Sequence, residues 1–228
     1  MQISLEIICF LLSMNCLLFG ATGLVGRECL NLLLEDEAYD TTHILMRRAI
    51  EGLDRHSKAV QYVIDFDAFI ESGDMPEVDH VFCALGTTMA KAGSKEAFRK
   101  VDYEYTVGIA RMARSAGARH FVLVSSMGAS TKSLFFYSRV KGEVEDAISA
   151  IGYPALTIIR PSVIVGDRPE RRLGEQIGAW LLRFASRSLQ PVHARDIAAA
   201  MVSAARTDPI GKRVILSKAI RRSGASPG

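Results

Sequence analysis

Tyr137 and Lys141 stand four residues apart in Tyr137-Ser138-Arg139-Val140-Lys141, inside a segment patterned as a helix. At that spacing both side chains lie on one face, one turn apart. An ammonium beside a phenol stabilises the phenolate, which suits a tyrosine that gives and takes a proton. Ser125-Ser126 closes the apolar run Phe121–Val124, which reads as a strand. A hydroxyl at a strand's C-terminal end could hydrogen-bond the oxygen that the tyrosine protonates, and alternation along the chain lets only one of the two serines do so. A second constellation lies upstream: Gly20-Ala21-Thr22-Gly23-Leu24-Val25-Gly26 follows an apolar strand and opens a helix. Such a turn lets the backbone approach a pyrophosphate and offers it the helix's unpaired N–H groups. Its spacing is G-x-x-G-x-x-G rather than G-x-G-x-x-G. Arg47-Arg48 ends the next strand, where an acidic residue would bind the ribose hydroxyls of NAD. Arginines there would pair with the 2′-phosphate instead, so NADP(H) is expected in preference to NAD(H).

Positioning these groups requires strands alternating with helices. The apolar runs Cys16–Phe19, His43–Met46, Val60–Ile64, His80–Leu85, Phe121–Val124 and Ala155–Ile159 read as strands, with a short one near Arg213–Leu216. Between them lie helical patterns: one from about Leu24, one from Lys95 to Ala116 ending at Gly117, and one containing Tyr137 to Ile151 ending at Gly152. This order predicts an α/β fold, a doubly wound parallel sheet of the Rossmann type, with a small C-terminal substrate lobe from about residue 162. Residues 14–220 form one domain in this reading. Residues 1–13 are expected to be a dispensable extension, with no positively charged n-region ahead of their apolar run and too few apolar residues for a bilayer span; 221–228 are expected to be a frayed tail.

The ordered set Gly20–Gly26, Cys83-Ala84-Leu85-Gly86-Thr87-Thr88, Val124-Ser125-Ser126, Tyr137-x-x-x-Lys141 and Arg160-Pro161 resembles the atypical short-chain dehydrogenases/reductases. Lys91-Ala92-Gly93 and Gly166-Asp167-Arg168 make it similar to the branch containing the human Tat-interacting protein and its bacterial relatives. The resemblance implies a hydride exchanged between NADP(H) and a small carbonyl or alcohol substrate. It implies Tyr137 as proton donor and Lys141 as a holder of the nicotinamide ribose. It also implies Ser126, the last hydroxyl of its run, as the partner of the substrate oxygen. Ala84, Leu85, Gly86, Thr87 and Thr88 would line the nicotinamide-side ribose and pyrophosphate, Asp65 and Phe66 would flank the adenine, and Arg160 and Pro161 would complete the cofactor site. The chain lacks the Asn-Asn-Ala-Gly stretch found elsewhere in the superfamily.

Composition narrows the alternatives. A net charge of +3, with basic residues scattered, gives no footprint for nucleic acid. Four cysteines without a C-x-x-C pair read as buried free thiols of a reducing compartment, hence a cytoplasmic protein, and the five histidines show no metal-ligand spacing. Arg168, Arg171 and Arg172 could receive an anionic substrate but read more simply as a solvated loop. Trp180, Leu181, Leu182 and Phe184 read as core or pocket wall, and Asp196 as the N-cap of a helix after His193. A monomer and a homodimer both remain open. Two other functions compete with the reductase: a non-catalytic NADPH-binding regulator with a protein partner, and a nucleotide-sugar epimerase, against which the short stretch after Pro161 argues.

Overall fold

The computed structural model describes residues 14–166 and 190–223. Seven strands form one parallel sheet: β1 (Met14–Phe19), β2 (Tyr39–Met46), β3 (Ala59–Val63), β4 (His80–Cys83), β5 (His120–Val124), β6 (Ala155–Arg160) and β9 (Gly211–Leu216), in the spatial order β3-β2-β1-β4-β5-β6-β9. Ile164–Val165 (β7) and Val192–His193 (β8) pair separately. The order reverses direction at β1, between β2 and β4. That is the switch point at which open α/β sheets leave a crevice beyond their strand C-termini.

Burial on both faces explains the continuous apolar strands. Cys16, Leu18, Phe82, Val122 and Ile159 enter one core with the helices α1 (Leu24–Glu35) and α7 (Ala194–Thr207). Their neighbours Leu17, Phe19, Val81, Cys83, Phe121 and Ile158 enter the other. That second core is covered by α2 (Phe66–Ser72) and the short α3 (Met89–Ala92). It is also covered by α4 (Lys95–Arg99), α5 (Thr106–Ser115) and α6 (Phe136–Ile151).

Several expectations are corrected. β2 starts four residues earlier than its apolar run, because Tyr39 is buried and its hydroxyl meets His80 Nδ1 at 2.8 Å. The helix expected from Lys95 to Ala116 is interrupted by a π-helical segment, Lys100–Tyr105, between α4 and α5. Asp196 lies in the first turn of α7, where it faces the positive end of the helix dipole, and His193 takes the N-cap position. The returning strand β9 pairs with β6 in the main sheet and α7 packs on its face, while residues 167–189 of the stretch expected as a C-terminal lobe lie outside the described residues. A last helix, α8 (Ser217–Ser223), follows β9. Asp167, Arg168, Arg171, Arg172, Trp180, Leu181, Leu182 and Phe184 fall outside the described residues, as do residues 1–13 and 224–228.

Candidate cofactor and catalytic site

The three glycines of the turn after β1 are required for different reasons. Gly20 has φ +87°, and a Cβ there would lie 2.4 Å from the Ala84 carbonyl carbon and 2.5 Å from the Leu85 nitrogen. A Cβ on Gly26 would lie 2.0 Å from the Gly20 oxygen. The chain needs glycine at both simply to bring β1, α1 and the end of β4 together. Gly23 differs. Its φ of −78° suits any residue, and its Cβ would meet the Gly20 oxygen at 3.3 Å, a contact relieved by a small shift, and the Ala84 oxygen at 4.0 Å. Thr22 and Gly23 are exposed, while Ala21, Val25 and Gly26 are buried and Leu24 is half-buried. No side chain caps α1 and no acidic residue sits in its first turn, so its N-terminal dipole and N–H groups face outward from the turn. This cradle fits a pyrophosphate.

Arg47 and Arg48 leave the C-terminal end of β2 beside that cradle, where Leu45 pairs with Phe19. Both are exposed, and neither forms an ion pair among the described residues. On the far side of β2, Asp65 caps α2, its Oδ1 accepting from the Asp67 and Ala68 nitrogens at 2.9 and 3.1 Å. Phe66 is buried and stacks on Tyr105, with ring centroids 5.0 Å apart. The adenine-flanking role expected of Phe66 is therefore not available to its ring face, which belongs to the core; Asp65 remains at the surface.

The segment after β4 approaches the glycine turn directly, and the Ala84 nitrogen donates to the Phe19 oxygen at 3.0 Å. Gly86 is exposed, and the Thr87 nitrogen donates to Asp102 Oδ2 at 2.8 Å. The Thr88 hydroxyl accepts from the Lys91 nitrogen at 3.2 Å, so it caps α3. Asp102, which sequence reasoning missed, is 1% exposed, and its other carboxylate oxygen pairs with Lys141 Nζ at 2.7 Å. The π-helical segment carries Asp102 to this position, as such interruptions often do beside functional sites. Burial opposes the charge on Lys141, but Asp102, then Tyr137, outweigh it and raise its pKa. Lys141 is thus a buried, charged ammonium with a fixed counter-ion.

α6 presents Tyr137, Lys141 and Glu145 at successive turns. Tyr137 is exposed, its ring lies tilted against Phe98 with centroids 5.5 Å apart, and it makes no hydrogen bond among the described residues. Glu145, also missed, is buried; it accepts from the Ser125 hydroxyl and from Arg160 Nε at 2.9 Å, with a second, short contact to the Arg160 terminal nitrogen. The guanidinium of Arg160, expected at the cofactor site, is held by Glu145, and 30% of its side chain stays exposed. Pro161 is buried, and its carbonyl accepts from the Met127 nitrogen at 2.8 Å. The same contacts resolve the two serines: Ser125 Oγ is spent on Glu145, whereas Ser126 Oγ is buried with no partner among the described residues. Gly142 lets the loop between β5 and α6 lie against that helix, since a Cβ there would come 2.4 Å from the Ser130 carbonyl carbon. The Ser130 nitrogen also donates to the Ser138 oxygen at 3.0 Å. The loop carrying Ser126 is thereby tied to the helix carrying Tyr137. A third signal existed in the sequence, the continuation of Y-x-x-x-K to Glu145 at the same interval.

The family model described as NAD(P)H-binding matches residues 20–208. The chain is 38% identical over 163 residues to protein FMP52, mitochondrial, of Debaryomyces hansenii, covering 68% of this chain and 69% of that one. It is 34% identical over 191 residues to protein HTATIP2 of Rattus norvegicus, covering 83% and 77%. Among solved structures, UDP-glucose 4-epimerase of Thermotoga maritima with UDP-glucose superposes with a TM-score of 0.68 at 15% identity, over 94% of this chain and 84% of that one. At that identity the likeness concerns the fold alone. The naming of the FMP52 relatives as mitochondrial overturns the cytoplasmic expectation. Cys16, Cys29 and Cys83 are free but buried, and burial pushes the Cys16 and Cys83 thiols up to about 12. Thiols so placed are inert in any compartment and carry no information about it.

Proposed function

This chain belongs to the NAD(P)H-binding family, as an HTATIP2-like atypical short-chain dehydrogenase/reductase, and from that membership we propose an NADP(H)-dependent oxidoreductase acting on a small carbonyl or alcohol substrate. The observation that carries the proposal is a pair of unspent hydroxyls, on a helix and on the loop tied to it. Ser126 Oγ and the Tyr137 hydroxyl have no partner among the described residues, while Ser125 is engaged by Glu145 and Lys141 is paired with Asp102, which also accepts from the Thr87 nitrogen. The bound nicotinamide would supply hydride. Gly23 and the uncapped start of α1 would hold the pyrophosphate, and Arg47 and Arg48 the 2′-phosphate. Ser126 would hydrogen-bond the substrate oxygen while Tyr137 protonates it, with the Lys141 charge stabilising the phenolate left behind. Asp102 holds both Lys141 and the Thr87 amide, coupling the cofactor loop to the acid. Mitochondrial residence, as in the FMP52 relatives, is part of this proposal; fractionation of the native cells would test it.

The experiment is NADPH oxidation against a panel of aldehydes and ketones, with wild type and Tyr137→Phe side by side. Turnover on at least one substrate, lowered in the variant by about 10²–10⁴-fold, supports the reading. Tight NADPH binding with no turnover on any carbonyl would replace it with a regulator.

A further inference from the structure

At the end of the sheet remote from the glycine turn, the fold assembles three side chains that the sequence scatters. His80 opens β4 and His120 opens β5, and the two are direct partners in the parallel register. Asp208 follows α7 with φ +38°, the one positive φ at a non-glycine among the described residues. Each ring is fixed from behind by a hydroxyl: Tyr39 Oη lies 2.8 Å from His80 Nδ1, and Thr157 Oγ1 lies 3.0 Å from His120 Nε2. Asp208 Oδ2 accepts from Arg119 Nε at 2.8 Å, and Arg119 is itself balanced by Asp79 at 2.6 Å.

The forward atoms are left over. His80 Nε2, His120 Nδ1 and Asp208 Oδ1 are buried without a hydrogen-bond partner among the described residues. The two histidines are 1% and 0% exposed, so water cannot satisfy them from the surface. His120 Nδ1 lies 3.0 Å from Asp208 Oδ1 but is not aligned as a hydrogen bond, and His80 Nε2 lies 3.7 Å from Asp208 Oδ2. One donor atom from each residue lies within 4.8 Å of the other two. Burial, with the neighbouring His80, holds His120 down at about 4, and burial lowers His80 as well, so both rings are neutral at working pH. Neutral imidazole is the form that binds metals.

We propose that His80, His120 and Asp208 form a site for a divalent transition metal, Zn²⁺ being the ion that two imidazoles and a carboxylate suit best. Bonds of about 2.0–2.1 Å set tetrahedral ligands roughly 3.3 Å apart. His120 Nδ1 and Asp208 Oδ1 stand 3.0 Å apart and all three donor atoms lie within 4.8 Å, so small side-chain shifts close the site around an ion. Tyr39, Thr157 and Arg119 are the outer partners that such ligands need for orientation. Three protein donors leave one tetrahedral position for water. The ion would clamp the starts of β4 and β5 to the turn after α7. The site is independent of the cofactor reading, since it occupies the opposite ends of the same strands.

The test uses the full chain, stripped with chelator and titrated with Zn²⁺ by calorimetry and with Co²⁺ by visible absorption. One ion per chain is expected, with the intense visible bands of low-coordinate Co²⁺ and a melting temperature that rises with Zn²⁺ concentration. Asp208→Asn and His120→Asn should weaken binding by more than about 100-fold, beyond the ~10–100-fold typical of losing an outer partner. Thr157→Val keeps all three ligands and the core shape and should weaken it about 10–100-fold. NADPH affinity serves as the control for folding in every variant. A folded wild type that takes up no ion overturns the proposal, as does Zn²⁺ affinity unchanged in Thr157→Val or in a folded Asp208→Asn.

Discussion

Among the glycines of the first turn, Gly23 alone has an ordinary backbone conformation and no Cβ contact below 3 Å; its tightest, 3.3 Å to the Gly20 oxygen, asks only a small shift. Gly23→Val should therefore abolish NADPH binding and leave circular dichroism and melting nearly native. Gly20→Ala should instead destabilise the fold by about 2–4 kcal/mol, since φ +87° and a backbone contact of 2.4 Å both oppose a Cβ. Thermal melts and NADPH titrations of the pair separate the two roles. Tyr137→Phe and Lys141→Met should also part company. The first would lower turnover with little change in cofactor affinity, and the second would lower both, because the ammonium is proposed to serve the ribose as well as the phenol. Helical spacing placed Tyr137 and Lys141 on one face, whereas the choice of Ser126 over Ser125 came from the family resemblance, since alternation alone leaves the two serines open. Neither signal reached Asp102 or Glu145. Their meaning depends on contacts with Thr87, Lys141, Ser125 and Arg160 that only the folded chain brings together.

At the scale of elements, the strand–turn–helix units were legible because apolar runs and glycine stops mark them, and Gly152 does end α6 in the left-handed conformation. The π-helical insertion was not legible: no residue type in Lys100–Tyr105 marks it, and it coincides with the buried Asp102, whose partners Thr87 and Lys141 lie far off in sequence. Asp102→Asn should expose the value of that link. It leaves the Lys141 ammonium buried without a counter-ion, so unfolding in urea should show a loss of about 3–5 kcal/mol, the usual cost of stranding one partner of a buried pair. Loss within the scatter of surface substitutions would mean that Lys141 finds another partner. The β2 terminus makes a separate prediction. An Arg47→Ala, Arg48→Ala variant should bind NADPH more weakly by about 1.5–3 kcal/mol per lost pair while NADH affinity stays constant. Equal loss for both cofactors in calorimetry would show that the arginines do not read the 2′-phosphate.

For the whole molecule, the doubly wound parallel sheet followed from the alternation of strands and helices, while its strand order is seen only in the folded chain. The cluster at the opposite end of the strands was not legible either, since His80, His120 and Asp208 have no local spacing. Its titration gives the metal-free protein a pH dependence with a definite sign. The folded state holds His120 neutral down to about 4 against an ordinary value of 6.5, whereas the unfolded chain takes up the proton earlier. Stability is therefore fully present above 6.5 and falls as pH drops towards 4, by on the order of 3 kcal/mol across that window. Urea midpoints at a series of pH values should show this slope, and His120→Asn should flatten it. The central claim, that the chain moves hydride between NADP(H) and a carbonyl carbon, has a more direct test. NADPH carrying deuterium at the transferable position is incubated with the carbonyl panel, and the products are read by mass spectrometry. The account predicts one deuterium on the carbinol carbon of a product, formed by wild type and all but lost in Tyr137→Phe. Normal NADPH binding with no deuterium delivered to any carbonyl would contradict it.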